Sequence, residues 1–206
     1  LTIGTCFEYS TNMLVADPPA IGMMVNPVFK LESTDGGIAT LPLEYRQGGM
    51  TKMTDYFAIK YGVLLLMRRE FAAGQSVTFR DGANNITGVV WLAPQSGAGS
   101  NQTTNTQADV LVSTTNRNTE ATTYRVSLAE AGSTQKTVPL QAAPYDNALQ
   151  LSFTETPDHG SDGLRVWVPE LGFISFASAF QLATTTSPQY RLQSIRTPAD
   201  GGKACS

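Results

Sequence analysis

The chain has 206 residues and a formal net charge of −3, from 14 Lys+Arg against 17 Asp+Glu. That acidic balance excludes an extended polycationic nucleic-acid binder, and no stretch approaches the roughly 18 apolar residues that cross a bilayer as a helix. Only 15% of residues are charged, against about 25% in an average soluble domain, while 25 Thr, 18 Gly and 11 Pro favour strands and turns over a helical bundle.

In chain order, strands are predicted approximately over 2–9, 26–32, 38–46, 62–69, 75–80, 86–92, 109–114, 122–129, 136–141, 148–154, 164–169, 173–183 and 189–196. Period-two alternation carries several of them. Tyr124, Val126 and Leu128 alternate with Arg125 and Ser127. Leu149, Leu151 and Phe153 alternate with Gln150, Ser152 and Thr154, and Leu164, Val166 and Val168 with Arg165, Trp167 and Pro169. Each such run offers one apolar face to a core. Val63-Leu64-Leu65-Leu66-Met67 and Val89-Val90-Trp91-Leu92 are apolar throughout and read as central strands covered on both faces. Asp35-Gly36-Gly37, Asp81-Gly82, Asp158-His159-Gly160 and Asp162-Gly163 read as turns, because these residues tolerate positive φ cheaply.

One helical segment is expected. Residues 51–61 place Met53, Tyr56, Phe57 and Lys60 at i, i+3, i+4 and i+7, which suits one or two turns crossing a sheet end with Thr51 as N-cap. Residues 95–107 carry almost no apolar side chain and read as an exposed surface loop. The expected whole is a single domain, 1–206, of roughly nine to eleven strands: an all-β antiparallel β-sandwich with short helical turns, a jelly roll or related Greek-key form.

Chemistry-bearing residues are few. His159, the one histidine, would be a general base only if Asp158 or Asp162 oriented it. Adjacent turn residues point apart, so it reads as an exposed loop histidine. Asp158 and Asp162 suit a turn better than a calcium loop. No metal-ligand spacing, phosphate loop or nucleophile motif occurs. Catalytic, cofactor and metal residues are therefore none, no cofactor is expected, and the chain is read as no enzyme. Arg68-Arg69 could face a polyanion, but two solvated arginines pairing with Glu70 or another carboxylate is the favoured reading. Cys6 and Cys205 form no disulfide framework; a bond between them would need the two ends of the chain to meet, and two free thiols in a reducing compartment is the favoured reading. The sequons at Asn85-Ile86-Thr87 and Asn101-Gln102-Thr103 carry little weight without a leader, and no basic-then-apolar leader opens the chain. Leu1 in place of Met suggests a product cut from a longer precursor.

The order of segments resembles that of picorna-like virus capsid proteins (picornavirus, dicistrovirus and iflavirus type). Leu41-Pro42-Leu43-Glu44-Tyr45-Arg46-Gln47-Gly48-Gly49-Met50 is similar to the stretch leading into a central strand, here Lys60 to Arg69. Val138-Pro139-Leu140-Gln141-Ala142-Ala143-Pro144-Tyr145-Asp146-Asn147 resembles the Pro-Tyr segment before a late strand. Residues 164–197 resemble the closing pair of strands, ending at Tyr190-Arg191-Leu192-Gln193-Ser194-Ile195-Arg196-Thr197-Pro198. Where some relatives carry Asp-Asp-Phe, this chain has Ser187-Pro188-Gln189-Tyr190, so an autoproteolytic role is not implied.

The resemblance implies an eight-stranded antiparallel jelly-roll fold and the role of a structural capsid subunit of a non-enveloped positive-strand RNA virus. Its implied partners are sibling capsid proteins in an icosahedral shell, genomic RNA through weak non-specific contact, and a host receptor through surface loops such as 95–107. Its implied location is the virion, and the host cytoplasm during assembly. The alternative is a carbohydrate-binding or adhesin-like β-sandwich, with Tyr9, Tyr45, Tyr56, Tyr61, Trp91, Tyr124 and Trp167 as candidate stacking rings.

Overall fold

The computed structural model describes residues 2–11, 19–33, 36–81, 83–92, 104–114, 117–130, 140, 145, 148–156, 163–168, 171–177, 188–200 and 205. Within them the chain is all-β. The strands are β1 (Cys6–Ser10), β2 (Ile21–Val25), β3 (Phe29–Leu31), β4 (Ile38–Gln47), β5 (Met50–Lys60), β6 (Val63–Phe71) and β7 (Ser76–Arg80). They continue with β8 (Val89–Leu92), β9 (Thr104–Thr114), β10 (Arg117–Glu130), β11 (Leu149–Thr156), β12 (Gly163–Val168), β13 (Gly172–Ala177) and β14 (Gln189–Arg196), followed by a 3-10 turn at Pro198–Asp200.

All pairings are antiparallel, in the order β2-β1-β14-β13-β12-β11-β10-β9-β7-β6-β5-β4-β3. An additional pairing of β2 with β4 closes that path on itself. Twelve strands therefore form a ring. β3 extends the ladder along the β4 edge that β2 also uses, and β8 pairs with β6 beside β7. Fourteen strands joined mostly to near neighbours in the chain differ from the eight that the resemblance implies. At β4–β5, β5–β6 and β6–β7, where the connections are described, short turns keep consecutive strands together as hairpins. At the β4–β5 turn, Gly48 and Gly49 both have positive φ (58° and 76°), the conformation that matches strand twist in a two-residue hairpin.

Residues 50–60 form strand β5, not the expected helix. Thr, Tyr, Phe and Ile suit a pleated surface, and pairing on both sides decides the outcome. Tyr45 sits opposite Met53 and Leu41 opposite Phe57 on one edge, and Asp55 opposite Arg69 and Ile59 opposite Leu64 on the other. Residues 104–107, expected in a loop, belong to β9. β2 lies where no strand was expected. The predicted strand at 136–141 falls outside the described residues except for Leu140.

A filled core occupies the ring. Phe7, Tyr9, Ile21, Met23, Leu43, Met53, Phe57, Leu66, Phe79, Val166, Phe173, Ile174 and Leu192 are among its buried members. A round twelve-stranded barrel would leave a lumen too wide for side chains to fill. Here two walls approach instead. Tyr45 of β4 meets Phe176 of β13 with ring centroids 5.7 Å apart, and Arg165 of β12 lies 3.7 Å over the ring of Trp91 on β8.

The wall β4–β5–β6 also carries a smaller apolar cluster on its outer side: Leu31, Tyr56, Ala58 and Met67, with Ile38, Leu65 and Ile86 against them. The apolar run on β6 thus serves both faces. Leu64 and Leu66 belong to the inner core, Leu65 and Met67 to the outer cluster. A bulge makes this possible. Tyr56 faces Arg68 and Phe57 faces Leu66, so Met67 is the extra residue. Beside it, Gly88 holds φ at +70° and approaches closely: a Cβ there would lie 2.5 Å from Met67 Sδ and 3.0 Å from the Leu66 carbonyl oxygen.

Cys6 and Cys205 form a disulfide, with Cα atoms 5.6 Å apart, and both are buried. This corrects the expectation of two free thiols. The sequence hides the pairing because 199 positions separate the residues. The fold joins them: β1 pairs with β14, with Cys6 opposite Arg196.

Replacing Gly88 with Val should destabilise the chain by about 1–3 kcal/mol or more, because the backbone conformation and the contact with Met67 both resist a side chain. Denaturant midpoints at unchanged m-value would measure it. The same replacement at Gly48, where nothing lies within 4 Å of a Cβ, carries only the conformational cost.

Candidate functional site

Two features stand apart from ordinary core packing: a polar cluster inside the ring and an apolar surface outside it.

The inner cluster is built by alternation. On β5, Met53, Asp55 and Phe57 point inward, and on β6 so does Arg69. Asp55 is fully buried and Arg69 is 1% exposed. Arg69 donates twice to this carboxylate, Nε to Oδ1 at 2.6 Å and Nη2 to Oδ2 at 2.7 Å. The Tyr45 hydroxyl donates to Asp55 Oδ2 at 3.1 Å. Burial pushes the Tyr45 phenol well above its ordinary value, and the nearby Asp55 charge adds to the rise. Tyr45 is therefore a neutral donor across the working pH range. Both buried arginines lie over the Trp91 ring: Arg69 is 5.6 Å and Arg165 3.7 Å from its centroid. Planar guanidinium on indole is a favoured cation–π arrangement.

Desolvating two charges costs several kcal/mol per ion, and the return depends on good geometry and extra hydrogen bonds. The two-pronged pairing and the tyrosine hydroxyl supply both. The recess between Tyr45, Arg69, Trp91, Arg165, Phe173 and Phe176 leaves no room for a water-sized molecule. The cluster is thus an internal clamp, not a ligand cavity: Asp55, Arg69 and Tyr45 are joined within one wall, and Arg165 of β12 reaches Trp91 from the other.

Arg68 and Arg69, adjacent in sequence, point to opposite faces. Arg68 pairs with Glu70 at 2.6 Å on the outer side, where Glu70 also accepts from the Tyr56 hydroxyl at 2.7 Å. Both arginines meet carboxylates, but only Arg68 does so at the partly exposed surface; Arg69 is buried, where the favoured sequence reading had two solvated arginines. Burial and the Glu70 hydrogen bond together raise the Tyr56 phenol. Asp55 and Arg165 were missed in the sequence. Asp55 lay within the supposed helix, and Arg165 stood on the supposed outward face of its strand. A signal for Asp55 existed: it interrupts an apolar alternation, Met53-Asp55-Phe57, in register with an arginine fourteen residues on.

The outer surface shows large exposed apolar groups. Phe29 is 49% exposed and its ring lies 5.5 Å from that of Tyr56, at the margin of the outer cluster. At the β5–β6 hairpin tip Ile59 is 78% and Tyr61 91% exposed, and Tyr61 holds a positive φ of 53°. Val28 and Met50 are exposed as well. These side chains lie on a wall whose interior is already filled.

Of the other residues weighed from sequence, Asp81 begins a tight loop. Its Oδ1 accepts from the backbone N–H of Ala83 at 2.9 Å and of Asn85 at 2.8 Å, and the Asn85 side-chain amide donates to Oδ2 at 3.1 Å. The Asn85 side chain and backbone hold the Asp81 carboxyl below its ordinary value. The amide of the Asn85 sequon is thereby engaged within the loop. His159, Asp158, Asp162 and the sequon at Asn101 lie outside the described residues. Among the described residues, no group of three or more His, Cys, Asp or Glu side chains converges as metal ligands. Of the seven candidate stacking rings, Tyr9, Tyr45 and Trp91 are buried in the core, and Tyr61 is the one that stands fully open among those whose side chains are described.

No protein family, curated protein or solved structure matches this chain.

Breaking the clamp should be costly. Asp55→Leu or Arg69→Met alone should each lose about 3–5 kcal/mol by stranding a buried charge, whereas the double variant should lose much less. A double-mutant cycle from denaturant unfolding measures the difference. In the Asp81 loop the sign is also fixed. A lowered carboxyl favours the ordered loop above the ordinary carboxylate range, and that contribution fades as pH falls through the native value. Asn85→Ala should move the Asp81 titration upward, as read by NMR of its side-chain carboxyl.

Proposed function

We propose that this chain is a structural subunit of a non-enveloped virus shell, assembling with sibling subunits around an RNA genome. The observation that carries the reading is the exposed Phe29 beside the outer cluster, with Ile59 and Tyr61 exposed at the β5–β6 hairpin tip, on a wall whose inside is already filled. Scarcity of charge agrees with it, because subunit contacts are depleted in charged residues at their centres. The segment order described above, from residue 41 to residue 198, supports the picorna-like type. The eight-stranded jelly roll is the finer form of this reading. The closed antiparallel order supports a rigid β wall, and assembly requires the wall and not one strand order.

A second reading keeps a specific observation in its favour. Disulfides persist in oxidising surroundings, and the Cys6–Cys205 bond fits a secreted binding module better than a subunit built in a reducing cytoplasm. A sugar-stacking site in such a module would centre on Tyr61.

Co-expression with the products of the neighbouring reading frames, viewed by electron microscopy, tests the proposal. Shells tens of nanometres across are the expected result. Phe29→Ser with Ile59→Ser and Tyr61→Ser should leave the β circular dichroism and the unfolding midpoint nearly unchanged while assembly falls at least tenfold. A monomer under all conditions that binds a defined glycan would replace the proposal with the second reading.

A further inference from the structure

The ring is closed by the two ends of the described chain. β1 lies between β14 and β2, with Phe7 opposite Ile195 and Met23, and Tyr9 opposite Leu192 and Ile21. β2 in turn pairs with β4, Met23 opposite Tyr45. Remove the β1–β2 hairpin and β14 and β4 each lose a partner, so the closed sheet becomes an open one. Three features bind this seam. Glu8 of β1 accepts from Arg196 and from the Ser194 hydroxyl of β14. The Tyr9 hydroxyl donates to the Phe173 carbonyl at 2.8 Å. The third is the Cys6–Cys205 bond, which ties the first residue of β1 to a residue beyond β14.

We propose that this disulfide is a redox latch on the seam: oxidised, it holds the ring shut, and reduced, it lets the β1–β2 hairpin open while the remaining wall stays folded. The inference is independent of the assembly reading. The latch sets by thiol–disulfide exchange with a low-molecular-weight disulfide such as oxidised glutathione. One cysteine thiolate attacks it, forming a mixed disulfide and releasing one glutathione thiolate. The second cysteine thiolate then displaces the other. The two cysteines lose two electrons and two protons in all, and the oxidised glutathione becomes two glutathione thiols. A dithiol reductant reverses the sequence.

Both cysteines are buried, so the reductant gains access only when the seam breathes. Asp55 and Arg69 pair on β5 and β6, two and three strands from β2 around the ring, so their pairing can hold while the hairpin loosens; Tyr45 of β4 lies opposite Met23 of β2.

Hydrogen–deuterium exchange on the full chain, oxidised and after dithiothreitol, tests the latch. Reduction should raise exchange at least tenfold in residues 6–10, 21–25 and 189–196, and leave residues 50–60 and 63–71 within twofold. Cys6→Ser with Cys205→Ser should show the raised pattern with or without reductant. If that variant fails to fold, a dithiothreitol titration of the native sequence carries the same readout. Equal exchange in both states overturns the proposal. So does a rise spread evenly over all strands, or a disulfide found between two copies instead of within one.

Discussion

A closed sheet must satisfy a constraint that an open sheet escapes: its first and last strands have to meet in register. In this molecule β1 and β2 meet it, fitted between β14 and β4. Every strand of the ring then has a partner on each side, and the backbone groups that an edge would expose are used. An even number of strands lets every pairing stay antiparallel. The two walls can then press together and bury the aromatic and aliphatic groups that supply most of the stabilisation.

The walls are held in relation to each other by more than apolar contact. Hydrophobic burial is non-directional, and a filled core alone tolerates sliding of one wall over the other. Arg165 of β12 over the Trp91 ring of β8 has geometric requirements that one relative placement of the two walls meets, while the Asp55–Arg69 pair with Tyr45 fixes β4–β6 within one wall. Buried ionic groups of this kind contribute little net stability against an apolar replacement. Their contribution here is to positional uniqueness. That uniqueness matters for any surface recognised by its shape, because the outer cluster rides on the same strands.

Much of this was legible in the sequence, for identifiable reasons. Runs such as 62–69 and 189–196 carry strong apolar patterns between turn residues, and they are strands β6 and β14. Arg68 meets Glu70 at the partly exposed surface as expected, whereas Arg69 is buried against Asp55. Residues 51–61 misled because Met53, Tyr56, Phe57 and Lys60 fall at helical spacing while Asp55 breaks the competing alternation. A buried carboxylate in a strand looks like a polar face until its arginine is placed, and that arginine arrives by pairing with β6. β2 was lost because Ile21-Gly22-Met23-Met24-Val25 is short, though Ile21, Met23 and Val25 alternate. The disulfide was out of reach because only the closed topology brings the two cysteines together. The exposed Ile59 and Tyr61 were equally hidden, since exposure of an apolar residue belongs to the hairpin tip and not to the run that contains it.

The extra residue at Met67 carries a consequence for how this molecule can change over evolutionary time. Because a strand assigns alternate residues to opposite sides, the bulge acts as a phase shifter that lets Arg69 and Phe71 keep the inner side while Leu65 and Met67 keep the outer one. Losing or gaining a single codon in this stretch would swap lining for surface along the rest of the strand. Length variation among descendants of this sequence should therefore be confined to the hairpin tips, with the strands between them changing by replacement only.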